Sequence, residues 1–100
     1  MSNATVSFVI KSFRHKGLAE LYNHGKTKKV GADLVKRVQR RLNAIRDGSA
    51  LGDLSVPGFD FHPLRGEPKR YSIHVNGPWC IVFEWTAMGE AVRVDLVQYH

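Results

Sequence analysis

The hydrophobic pattern of the first part of the chain predicts one strand followed by a short helix. Apolar side chains alternate along residues 6–11, "VSFVIK", which favours an extended strand. Leu18, Leu21 and Tyr22 then recur at helical spacing, and Gly25 is a suitable residue to end that helix.

A longer helix is predicted over residues 32–48, "ADLVKRVQRRLNAIRDG". Its apolar stripe at helical spacing consists of Leu34, Val35, Val38, Leu42 and Ile45. Lys36, Arg37 and Arg40 project from the opposite side, and Arg41 lies on the flank. Like charges at i and i+4 repel by about 0.2–0.5 kcal/mol per pair, so their accumulation favours an anionic partner, although a solvated surface is the alternative. We therefore expect RNA- or ribosome-binding side chains at Lys36, Arg37, Arg40 and Arg41.

The second half of the chain predicts an antiparallel meander. A turn-rich connector is followed by alternating stretches at residues 71–76, 79–85 and 92–96, and Asn76-Gly77 favours a hairpin turn between the first two. Because the helices must cover the apolar face of this sheet, the predicted class is a small α+β domain.

The chain ends on the alternating stretch "VRVDLVQYH". If Val94 and Leu96 belong to the core, Tyr99 and His100 are held at the rim of a rigid sheet, where a site can be built. Strict alternation places these two neighbours on opposite faces, so a bulge or bend is needed for both to serve one site.

Composition narrows the class of protein. One hundred residues with 43% hydrophobic positions are expected to form one folded domain, residues 1–100. No apolar run approaches the roughly 18 residues of a membrane span, and no signal peptide is expected. The lone Cys80 fits a reducing cytoplasm. Residues 1–50 carry a net charge of +8 and residues 51–100 a net charge of −2, which favours a nucleic acid or acidic partner.

The candidate chemistry lies in two short stretches. The usual nucleotide, zinc and hydrolase motifs are absent, and the five histidines lack metal-ligand spacing, so we expect neither a metal nor a cofactor. Cleavage of RNA by side chains needs a base for the 2′-OH proton, an acid for the leaving 5′-oxygen and cations for the phosphate charge. Such groups occur together in "FHPLRGEPKRY" and "VQYH", at His62, Arg65, Lys69, Arg70, Tyr99 and His100. Taken singly, a histidine is more often structural or merely exposed than catalytic.

The order and spacing of several stretches resemble HigB-type toxins of bacterial toxin–antitoxin pairs, within the RelE-like superfamily. The similar stretches are "IKSFRHKGL" at 10–18, "FHPLRG" at 61–66, "YSIHVNGPW" at 71–79 and the closing "YH". Residues 1–9 precede the position at which such toxins usually begin.

The resemblance implies a RelE-like fold and ribosome-dependent cleavage of mRNA without a metal. The expected partners are the 70S ribosome with its mRNA and a HigA-like helix-turn-helix antitoxin, with which the toxin would form a hetero-oligomer. By resemblance, His62 and His100 are acid and base candidates, and Tyr99 would orient or stack a nucleotide. Arg65 stands where the family commonly has lysine and would stabilise phosphate charge. Apart from the resemblance, the positive charges in "FHPLRGEPKRY" lead us to expect that Lys69 and Arg70 bind RNA.

Two positions depart from the family pattern. Gln98 replaces the aspartate that often precedes the closing Tyr-His, and Cys80 replaces the arginine that usually follows the tryptophan. Neither replacement carries the charge of the usual residue. The alternative function is therefore a non-catalytic or attenuated toxin of the same fold, which acts by binding the ribosome or, like the ParE branch, gyrase.

Overall fold

Two helices lie against one face of a five-stranded sheet in the computed structural model, which describes residues 9–99. In chain order the elements are β1 (Val9–Ile10), α1 (Lys16–His24), α2 (Val35–Asp47), a 3₁₀ turn (Leu51–Leu54), β2 (His62–Pro63), β3 (Arg70–Asn76), β4 (Trp79–Trp85) and β5 (Glu90–Gln98). No helix within residues 9–99 is long and apolar enough to cross a bilayer.

The strand order is β1-β5-β4-β3-β2. Strands β3, β4 and β5 form the predicted antiparallel meander, and β2 adds an antiparallel edge. Strand β1 pairs with β5 in parallel, so the sheet is mixed rather than wholly antiparallel. The helical connection between β1 and the other strands makes this parallel pairing possible. The predicted α+β class is confirmed.

Only the end of the first predicted strand lies within the described residues. Val9 is exposed and Ile10 is buried, as the alternation predicts, whereas the other predicted positions, Val6 and Phe8, lie outside the described residues. Strand β2 was not predicted, because two residues are too short to show a period.

Both helices form where the periodicity predicts them. Gly25 ends α1 in the left-handed conformation at φ 80°, and its N–H donates to the carbonyl of Leu21. At the other end of α1, Nδ1 of His15 accepts a hydrogen bond from the N–H of Leu18. The predicted stripe of α2 faces the sheet: Leu34, Val38, Leu42 and Ile45 are buried and Val35 is half-buried.

Arg41 is buried, whereas an RNA-binding residue is expected at the surface. Only 5% of it is exposed, and its Nε donates to the carbonyl oxygen of His74 at 2.7 Å. Its guanidinium carbon lies 4.6 Å from the ring centre of Phe59. Burial, and then the charges of Arg37 and Arg40, lower the pKa of Arg41 from its usual value. Arg41 therefore joins α2 to β3 inside the fold and is unavailable to a large ligand.

We expect Arg41→Met to lower the free energy of unfolding by about 1–3 kcal/mol, because the part-buried carbonyl of His74 loses its side-chain donor while methionine still packs on Phe59. The matched control is Arg40→Met, whose exposed side chain should change stability by less than about 0.5 kcal/mol. Denaturant unfolding of the two variants measures the difference. Equal stabilities would show that the guanidinium contact contributes nothing.

A bulge in β5 interrupts the alternation that was predicted for the last strand. Val92 pairs with Glu84, whereas Val94 and Leu96 point into the core. The extra residue is Arg93, which adopts φ 53°, and its N–H donates to Oγ of Ser12. This inserted residue reverses the direction of the side chains that follow it.

Candidate active site

The sheet presents a second face, away from the helices, and the strand pairings show which side chains share it. His62 on β2 pairs with Ser72 on β3, Ser72 pairs with Val82 on β4, and Val82 pairs with Asp95 on β5. Cross-strand partners project from the same side of a sheet. The core side chains Ile73, Ile81 and Phe83 alternate with these positions and face the helices, so His62 lies on the second face.

A second row of cross-strand partners on this face lies two residues closer to the β3–β4 turn. It consists of His74, Cys80 and Val97, which pair across β3, β4 and β5. Nε2 of His74 lies 3.0 Å from the carbonyl oxygen of Gly77. Cys80 therefore shares a face with Val82 and does not face the core. His74 was not among the predicted site residues, and its alternation with Ile73 and Val75 is the signal that could have placed it here.

Tyr99 follows directly after β5 and is held by its backbone. Its N–H donates to the carbonyl oxygen of Pro78 at 2.7 Å, while 45% of the residue is exposed. The row of Cys80 therefore lies between Tyr99 and His62 on the sheet. His100 lies outside the described residues.

The imidazole of His62 is half exposed and contacts the residue two positions earlier. Its Nδ1 lies 2.7 Å from the carbonyl oxygen of Asp60 and 4.0 Å from a carboxylate oxygen of the same residue. Backbone pairing with Ser72 and this contact fix both the position and the orientation of the ring.

The predicted cations of the second half of the chain, Arg65, Lys69 and Arg70, lie on the hairpin that His62 begins. Arg65 and Lys69 are exposed in the loop that joins β2 to β3, and Arg70 begins β3. The N–H of Leu64 closes this loop by donating to the carbonyl of Arg70 at 2.7 Å. Three positive side chains therefore follow the imidazole along a single short hairpin.

Arg93 adds a cation to the second face that the sequence did not reveal. Its guanidinium lies 3.6 Å from the carboxylate of Glu84, which in turn pairs across the strands with Arg70. The side chain of Arg93 is 61% exposed and that of Glu84 is 19% exposed. Only the bulge in β5 brings Arg93 to this place, and no local pattern predicts the bulge.

The predicted basic surface of α2 lies in the other layer of the fold. Lys36, Arg37 and Arg40 are exposed and line a surface cavity of about 260 Å³. Because α2 packs on the core face of the sheet, this helix surface and the second face are separated by the body of the domain. Among the predicted residues, His62, Arg65, Lys69 and Arg70 therefore share one hairpin, and Tyr99 lies across the second face from them. Lys36, Arg37 and Arg40 form a distinct basic surface on α2.

The chain also matches a family model. The model describes a RelE-like toxin of the type II toxin–antitoxin system HigB, and the match covers residues 11–100. The chain belongs to this family. The resemblance seen in the sequence is therefore confirmed, and the arrangement of helices and strands is consistent with a RelE-like fold.

Two relatives are similar to this HigB family member over most of its length. A protein of Proteus vulgaris named Endoribonuclease HigB is 39% identical over 93 residues, which are 92% of this chain and 100% of the relative. An uncharacterized protein of Haemophilus influenzae (strain ATCC 51907 / DSM 11121 / KW20 / Rd) is 34% identical over 77 residues, 73% of this chain and 75% of the relative.

Proposed function

We propose that this HigB-family toxin is an endoribonuclease that cleaves mRNA on the ribosome and thereby inhibits translation. The observation that carries the proposal is the second face of the sheet, where His62 stands in a fixed orientation beside the cationic hairpin of Arg65, Lys69 and Arg70. The name of the Proteus vulgaris relative supports the same activity.

The proposed chemistry uses side chains for each proton transfer. One imidazole, His62 or His100, takes the proton of the ribose 2′-OH, and the 2′-oxygen attacks the adjacent phosphorus. The other imidazole donates a proton to the departing 5′-oxygen, so the products are a 2′,3′-cyclic phosphate and a 5′-hydroxyl. Arg65 stabilises the charge on the phosphate, and Tyr99 stacks on or orients a nucleotide.

Dependence on the ribosome follows from the small number of groups at the site. His62 and Tyr99 lie on either side of the Cys80 row. Holding the RNA in a reactive geometry is worth about 7–11 kcal/mol of a barrier in well-oriented systems. We propose that the ribosome supplies much of this positioning.

The test compares translated message with free RNA of the same sequence at equal toxin concentration. Cleavage of the translated message, with a 2′,3′-cyclic phosphate at the new end and no cleavage at a 2′-deoxy nucleotide, is the expected result. Efficient cutting of free RNA would contradict ribosome dependence. Cleavage through the 2′-deoxy position would contradict the chemistry.

The biological setting of the proposal is a toxin–antitoxin pair in the cytoplasm. The partner would be a HigA-like helix-turn-helix antitoxin that forms a hetero-oligomer with this chain and neutralises it. Purification of the toxin with the product of the neighbouring reading frame tests this partnership directly.

A weaker, binding-based toxin is the second candidate. The observation that favours it is Cys80, which lies in the middle of the second face where related toxins usually carry arginine. A thiol supplies no positive charge to a phosphate. Growth arrest without any cleaved message would support this candidate over nuclease action.

The basic surface of α2 is proposed to bind ribosomal RNA. We expect Arg37→Glu combined with Arg40→Glu to weaken sedimentation with 70S ribosomes at low salt, and to have a smaller effect at high salt, where exposed charges are screened. The matched control is Lys26→Glu with Lys28→Glu, which makes the same change of charge on an exposed loop. Equal losses in both double variants would assign the effect to net charge and not to this surface.

A further inference from the structure

Asp60, two positions before β2, is held from both sides. The carbonyl oxygen of buried Phe59 accepts a hydrogen bond from the N–H of His74 at 2.6 Å. On the other side, the ring of Phe61 stacks on Tyr71 with centres 5.6 Å apart and planes 14° apart. The backbone of Asp60, between these two anchored aromatic residues, therefore has little freedom to relax.

Asp60 adopts the left-handed conformation, with φ 46°. Aspartate, asparagine and glycine tolerate this conformation, whereas a β-branched residue is a true outlier there. In this conformation the carbonyl oxygen of Asp60 lies 2.7 Å from Nδ1 of His62. The carboxylate lies 4.0 Å from the same nitrogen, which is beyond hydrogen-bond distance. The backbone of Asp60, and not its side chain, makes the close contact.

This contact determines which ring nitrogen carries the proton. A carbonyl oxygen only accepts hydrogen bonds, so Nδ1 of His62 must be the donor and Nε2 keeps its lone pair in the neutral ring. Two other histidines carry the proton on Nε2 instead of Nδ1. His15 accepts at Nδ1 from the N–H of Leu18, and His74 donates from Nε2 to Gly77. His62 is thus distinguished from both by its tautomer.

We propose that Asp60 is a positioning residue whose left-handed backbone fixes the tautomer of His62 and presents Nε2 to the RNA. The role in cleavage rests on the proposed function. A base for the 2′-OH needs a free lone pair directed at the substrate, and Nε2 meets that need. When Nε2 gains a proton, the Nδ1 hydrogen bond persists, so the ring keeps its orientation in both protonation states.

The experiment measures the tautomer and the cleavage rate in the same proteins. Two-bond nitrogen–proton correlations of the ¹⁵N-labelled full chain, recorded where imidazole is neutral, should place the proton on Nδ1 of His62 and on Nε2 of His15 and His74. Asp60→Val should move the proton of His62 to Nε2 and lower ribosome-dependent cleavage by at least about ten-fold, within the range of about 10²–10⁴ for an acid–base group. Asp60→Gly and Asp60→Asn, which retain the left-handed backbone, should preserve both properties.

Asp60→Ala gives a milder second test if the valine variant does not fold, and unchanged signals of His15 and His74 report an intact fold. A proton on Nε2 of His62 in the unaltered chain would overturn the proposal. So would an unchanged tautomer in folded Asp60→Val or Asp60→Ala. Equal cleavage despite a changed tautomer would remove the positioning role while leaving the nuclease function intact. Absence of cleavage by the unaltered chain would instead overturn the nuclease function, and the tautomer measurements would still decide what Asp60 does to His62.

Discussion

Replacing His62 with alanine is expected to lower ribosome-dependent cleavage of mRNA by about 10²–10⁴-fold, the usual contribution of a general acid or base. The ring is half exposed on a two-residue edge strand, so its loss should change the free energy of unfolding by less than about 0.5 kcal/mol. Quantifying cleaved message per unit of folded toxin in a translation reaction measures the effect.

The matched control is His24→Ala, which removes an exposed histidine at the end of α1 and should leave cleavage unchanged. His100→Ala should be as damaging as His62→Ala if the two imidazoles act as acid and base. The double variant should lose less than the product of the two single effects, because members of one catalytic unit are not additive. Full activity of His62→Ala would remove this residue from the chemistry.

Introducing a positive charge at Cys80 is expected to raise cleavage, in contrast to the loss expected for His62→Ala. Cys80→Arg should raise cleavage by about ten-fold or more, since one well-placed donor for a developing negative charge is worth up to about 10²–10³. The position lies between His74 and Val97 on the second face, so an arginine there projects toward the same side as His62. The measurement is cleaved message per unit of folded protein in a ribosome-dependent assay.

Cys80→Ser provides the control, because it removes the thiol without adding charge and should leave the rate unchanged. Cys80→Lys separates charge from geometry, since an ammonium supplies the charge but not the planar fork of a guanidinium. An unchanged rate in Cys80→Arg, with intact fold and ribosome binding, would show that Arg65, Lys69 or Arg70 already supplies the necessary cation.

Local patterns predicted those parts of the fold that local interactions determine. The stripe from Leu34 to Ile45 and the glycine at position 25 depend on residues within a few positions of each other, so their periodicity was sufficient. Arg41 was misjudged because its acceptor, the carbonyl of His74, lies 33 residues away. A charged residue on the flank of a helix normally faces solvent, and nothing near Arg41 in the sequence reveals the distant acceptor.

The candidate site was predictable by residue type more than by arrangement. The composition of "FHPLRGEPKRY" pointed to His62 and its neighbouring cations, which the structure places on one hairpin. The presence of His74 and Arg93 on the same face depends on strand register, and Arg93 also depends on a bulge with a left-handed backbone. Register and bulges arise from pairings between distant strands, which a single sequence does not display.

The position of β5 between β1 and β4 affects when the sheet can form. Ser12 meets the bulge at Arg93 across a separation of 81 residues, so β1 has no strand partner until β5 has been synthesised. The same late strand leads into Tyr99 on the proposed site. Until β5 is in place, β1 is therefore unpaired and one edge of β4 is uncovered, so the five-stranded sheet forms only when segments from both ends of the fold meet.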